Sequence, residues 1–137
     1  MSKLSHECGI SRATVMNYLK YLQDARLINM LYKVGVSFPK KPDKVYMNNT
    51  NIMFPTKLGE VHRQVLCETF FYNQINVLET VNKSERKNEF LVNGEKHFKI
   101  KTLNKNNTKS RSYCIVLDTK QTEEEVVIPL WLFGFLY

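Results

Sequence analysis

The sequence predicts an α+β fold built from two segments, residues 1–55 and residues 56–137. Three observations predict it. Apolar residues recur at helical spacing behind a Gly9-Ile10-Ser11 turn. They do so again over residues 60–78. Between residues 77 and 117, short apolar runs of strand length alternate with turn residues. The 137 residues are 43% hydrophobic and 24% charged, enough to bury a core and too apolar for a disordered chain.

In the first segment, helices over 3–8 and 11–25 flank a turn at Gly9, where a left-handed backbone favours glycine. Ser11 is placed to cap the second helix by accepting from its free first-turn amides. Val15, Tyr18, Leu19 and Leu22 fall at i, i+3, i+4 and i+7, an apolar stripe expected to pack against Leu4, Cys8 and Ile10. The opposite face carries Arg12, Thr14, Asn17, Lys20, Tyr21 and Asp24. Residues 25–32 and Val45-Tyr46-Met47 read as two short strands. The loop Pro39-Lys40-Lys41-Pro42-Asp43-Lys44 joins them.

In the second segment, Asn48–Leu58 is a polar connection containing Pro55. The helix over 60–78 places Val61, Val65, Tyr72 and Ile75 on one face, with Glu68 in its middle. A carboxylate there needs a partner, a metal or a raised pKa. It is either a site residue facing a sheet or the partner of one of the many lysines. Strands are expected at Val77–Val81, Glu89–Val92, His97–Thr102 and Tyr113–Leu117, with a tight hairpin at Asn93-Gly94. Lys105–Arg111 reads as a basic loop or short helix, and Glu123-Glu124-Glu125 as a solvated turn. The last element, Val126–Tyr137, is so apolar that a buried terminal strand is expected.

Composition also limits the chemistry. Cys8, Cys67 and Cys114 form no C-x-x-C pair, which predicts reduced, buried thiols and neither a zinc knuckle nor a disulfide framework. His6, His62 and His97 are isolated, and no glycine-rich phosphate loop occurs. No cofactor and no resident metal are expected. No apolar run approaches bilayer-spanning length and the N-terminus lacks a signal-peptide core, so the chain reads as cytoplasmic with no membrane partner. The net charge is +7, and residues 1–50 alone carry eight Lys/Arg against three acids. That bias suits a polyanion such as double-stranded DNA.

The pattern Leu4…Gly9-Ile10-Ser11-Arg12-Ala13-Thr14-Val15…Tyr18-Leu19…Leu22 resembles the helix-turn-helix of DNA-binding proteins, and the strand pair after it resembles a wing. The resemblance implies that the second helix enters the major groove, with Ser11, Arg12, Thr14, Asn17 and Lys20 as contacts. Arg12 is suited to guanine and Asn17 to adenine. Lys40, Lys41 and Lys44 on the wing would touch phosphates. A winged helix has an earlier helix that closes its core. Its lack here predicts that these residues follow something longer, and that Leu4, Cys8 and Leu19 leave an open apolar side for self-association or for a preceding domain.

The order of a helix, a strand, a strand hairpin and a further strand resembles the restriction-endonuclease-like fold, a small α/β domain with a mixed sheet. That fold implies an acid at Glu89 and a Glu-x-Lys motif on the next strand. Here Lys101 fits the lysine, while Lys99 stands where the second carboxylate belongs. Glu68 is a candidate third acid. A lysine at a ligand position repels a divalent cation, so the nuclease site reads as degenerate.

Several separated blocks agree in order with the C-terminal region of prokaryotic AAA-type ATPases. They are Ile10–Leu22, Lys44–Asn51, Glu68–Gln74 and Ile128–Tyr137. The resemblance implies a winged helix followed by a nuclease-like domain of unknown function, placed after a nucleotide-binding motor. The motor's own motifs are not in this chain. Members of that group usually carry Asp at the position of Glu89 and often Glu at that of Lys99, so the chain departs at both. The expected function is a non-catalytic module that binds nucleic acid or contacts the motor. The alternatives are a metal-dependent nuclease using Glu68, Glu89 and Lys101, and a structural oligomerisation domain.

Overall fold

The structure, a computed structural model, describes residues 2–54, 61–86, 89–104, 112–118 and 126–136. Helix α1 (Ser2–Glu7) turns at Gly9, whose φ is +64°, into α2 (Arg12–Asp24). Strands β1 (Ile28–Leu31) and β2 (Lys44–Met47) pair antiparallel as a two-stranded ribbon. A 3₁₀ turn (Thr50–Met53) leads towards α3 (Arg63–Ile75). Five strands then follow: β3 (Val81–Lys83), β4 (Glu89–Val92), β5 (Lys96–Asn104), β6 (Ser112–Asp118) and β7 (Val126–Pro129). The chain ends on a second 3₁₀ helix (Leu130–Phe135). The fold is therefore mixed α+β.

The sheet departs from the expectation of a mixed one. Strands β3 to β7 lie side by side in sequence order and every pair is antiparallel. Each connection is shorter than the dozen or so residues a parallel crossover needs. Asn93 and Gly94, at φ +54° and +73°, make the tight turn between β4 and β5. A parallel bridge, Lys33 to Lys83, ties the ribbon to the sheet, where the Lys83 amide donates to the Tyr32 carbonyl at 2.7 Å.

Side-chain alternation puts Phe90, Val92, Phe98 and Ile100 on the sheet face that receives α3. Phe71, with 0% exposure, sits at the centre, 5.2 Å from Phe90, 5.6 Å from Phe98 and 5.0 Å from Phe133 between ring centroids. Leu31 and Tyr46 from the ribbon join the same cluster, so one apolar core crosses from the first segment into the second.

Several local expectations are corrected. The segment 77–80 is a turn with Val77 and Leu78 exposed, and the strand begins only at Val81. The terminal strand stops at Pro129. The 3₁₀ helix after it buries Leu130 and Phe133 but exposes Trp131, Leu132 and Phe135, because a short helix turns only part of its surface to the core. On α3, Val65 faces outward and Phe71 replaces it in the core. On α2 the buried pair is Val15 and Met16. Tyr18, at 54% exposure, and Leu22 stay in solvent, as do Leu4 and Cys8. The stripe is real, but α2 packs mainly on β1 and α1, which cover only one edge of it. The thiols also differ: Cys8 is free and exposed, whereas Cys67 is disulfide-bonded. The expectations for Pro55, Lys105–Arg111, Glu123–Glu125 and Tyr137 lie outside the described residues.

Candidate nucleic-acid interface

At the start of α2 the Ser11 hydroxyl accepts from the Thr14 amide at 3.0 Å and lies 2.8 Å from the Thr14 hydroxyl. Both residues thereby act first as a helix cap. Arg12 and Asn17 project from the exposed face beyond it. Together with Ala13, Met16, Pro39 and Lys41 they line a groove of about 320 Å³. Helix α2 and the β1–β2 loop, 22 or more residues apart in sequence, thus place two cations and a carboxamide around one cleft. The Phe38–Pro39 peptide bond at its rim is cis. Lys40 is exposed beside it.

Two further expected contacts have other partners. The Lys20 ammonium pairs with Asp24 at 2.7 Å on its own helix. Lys44 turns inward and donates to Glu68 Oε2 at 2.9 Å. Among the described residues, Arg12, Lys40 and Lys41 make no ion pair. The cationic character of this candidate surface therefore rests on these three.

Glu68 is 7% exposed and is the partner of a lysine, the second of the two readings its position allowed. Tyr46 Oη donates to it at 3.1 Å and Gln64 Nε2 to its other oxygen at 3.1 Å. Gln64 also donates to the Ile100 carbonyl at 2.8 Å and accepts from Thr102 at 3.0 Å. Burial and the Glu68 charge push the Tyr46 hydroxyl far above the ordinary phenol range. Burial raises Tyr72, whose hydroxyl donates to the Met30 carbonyl at 3.1 Å, to about 12. The network locks the ribbon onto α3.

The nuclease-like positions do not converge. Glu68 lies on the α3 side of the sheet. Glu89 alternates with the core residue Phe90, and Lys99 and Lys101 flank the core residue Ile100, so all three belong to the outer face. Glu89 and Lys99 are direct cross-strand partners there. Glu89, 7% exposed, sits 3.7 Å from His97 Nδ1. The Ser84 hydroxyl lies 3.1 Å from that same nitrogen. A Ser-His-acid relay needs the two groups on opposite ring nitrogens, so this cluster is not one. Among the described residues no group of three or more His, Cys, Asp or Glu is placed to hold a metal ion. No helix there is long and apolar enough to cross a membrane.

Sequence reasoning missed a carboxamide cluster. Asn29 donates to Asn48 at 2.7 Å and to Asn73 at 3.0 Å, and Asn73 donates to the Met47 carbonyl at 2.9 Å. The Asn48-Asn49-Thr50-Asn51 run was its visible signal, but its partners lie on β1 and α3. No family model, no curated protein and no solved structure matches the chain.

Proposed function

We propose that the chain is a non-catalytic module that binds duplex DNA through α2 and the wing loop, of the kind that follows an AAA-type motor. The groove shared by Arg12, Asn17 and Lys41 is the observation that carries this reading. A helix with an exposed arginine and asparagine beside a basic loop offers both a base-reading edge and phosphate contacts. The +5 charge of the first fifty residues supports long-range attraction to the polyanion. The separation of Glu68 from Glu89 speaks against a two-carboxylate metal site and so against the nuclease alternative.

Fluorescence anisotropy on a labelled duplex over a salt series tests the reading. Affinity of roughly 10⁻⁴–10⁻⁶ M is expected at physiological salt, falling as salt rises. Arg12→Gln together with Lys41→Gln should reduce the logarithmic salt slope by about 0.9 for each lost phosphate contact. Absence of binding at low salt would overturn the proposal.

A further inference from the structure

The wing loop borders a second groove. Lys33, Val34 and Val36 face Ser84, Arg86 and His97 across a cleft of about 430 Å³ that no α2 residue lines. The same loop therefore lines two grooves, one with Lys41 against α2 and one with Lys33 against the outer face of the five-stranded sheet. His97 is the first of a row along β5. Residues two apart on a strand share a face and are about 6.8 Å apart. His97, Lys99 and Lys101 accordingly line up on the outer face, while Phe98 and Ile100 fill the core.

The charges facing this path are mixed but favour an anion. Lys33, Arg86, Lys99 and Lys101 are the cations. Glu85 is exposed at the rim, and Glu89 is buried beside His97 and directly across the strands from Lys99. Lys83 is held within the fold. Burial lowers its pKa, and its ammonium donates to the carbonyls of Ser84, Arg86 and Glu89 at 3.1, 2.9 and 3.3 Å. It fixes the turn that presents Arg86. Lys33 and Lys99 make no ion pair among the described residues.

We propose that the outer sheet face is a second phosphate-binding surface, which takes the backbone of the same nucleic acid after it crosses the wing, with Lys33 and Lys99 as its principal contacts. The inference rests on the duplex-binding reading and lengthens its footprint. The continuous loop between the two grooves and the shared sign of their charge identify the occupant as that nucleic acid.

The test compares the full chain with its Lys33→Gln/Lys99→Gln variant on two labelled duplexes. One has about one helical turn, roughly 10 base pairs, and the other about three turns. On the long duplex the variant should lose about 1.8 from the logarithmic salt slope, at about 0.9 per contact, and bind more weakly. On the short duplex, which reaches only the α2 groove, the two proteins should match. Equal slopes on the long duplex would overturn the second surface while leaving the α2 site standing. Failure of the unaltered chain to bind either duplex would overturn both. Both lysines lie outside the core, and a matching circular dichroism melt confirms that the variant folds.

Discussion

Glu68 couples the two segments of the chain through a few polar atoms. Its carboxylate accepts from Lys44, Tyr46 and Gln64, which belong to β2 and α3. Removing one donor leaves a buried charge under-compensated. Because Lys44 is partly exposed, water recovers some of the loss. Lys44→Gln should therefore cost about 1–3 kcal/mol by urea unfolding. Lys40→Gln with Lys41→Gln, at exposed positions, should stay within about 0.5 kcal/mol per residue. The two groups of lysine differ in role although they share one loop in the sequence. Helical periodicity made the burial of Glu68 legible. It did not reveal the partner, because a pairing across 24 residues is decided by tertiary packing. Tyr46 and Tyr72 give a pH signature. Their folded pKa values are raised, Tyr72 to about 12, above the ordinary value of 10.0. Between those values the unfolded chain loses the proton while the folded chain keeps it, so stability falls as pH rises. The loss should begin near pH 10 at up to about 1.4 kcal/mol per pH unit per tyrosine. Absorbance titration should show this pair ionising only as circular dichroism reports unfolding. Ionisation near pH 10 with the fold intact would contradict the buried network.

At the scale of elements, hairpins were more legible than the faces of helices. The β4–β5 turn follows from Asn93-Gly94, since few dipeptides tolerate two successive left-handed residues. The wheel for α3 marked Tyr72 and Ile75 correctly but gave Val65 the place held by Phe71. Periodicity identifies an apolar arc, while the neighbour that arrives selects which part is covered. Phe71 is enclosed by Phe90, Phe98 and Phe133, and Phe71→Ala should cost about 3–5 kcal/mol in chemical denaturation. A loss below about 1 kcal/mol would mean that α3 does not seat on the sheet as described. The terminal segment was harder to read. Its apolar run suits a strand, yet only Leu130 and Phe133 reach the core. Their spacing of three matches a 3₁₀ turn, in which such side chains eclipse.

For the whole molecule, the order of elements was legible while the sheet topology was not. The nuclease-like motif needs its acids on one face, but strand alternation sends Glu89 to the outer face of the sheet while α3 holds Glu68 over the other. Supercoiled plasmid incubated with Mg²⁺ or Mn²⁺ should accordingly remain un-nicked. Nicking abolished by Glu89→Ala would show that a single strand carboxylate suffices. The central claim, that duplex DNA lies across α2 and the wing, is tested most directly by following backbone amide signals in NMR during titration with a duplex. The account predicts the largest shifts at Arg12–Lys20 and around Lys40 and Lys41. Shifts confined to the terminal segment Trp131–Leu136, with α2 unmoved, would contradict it.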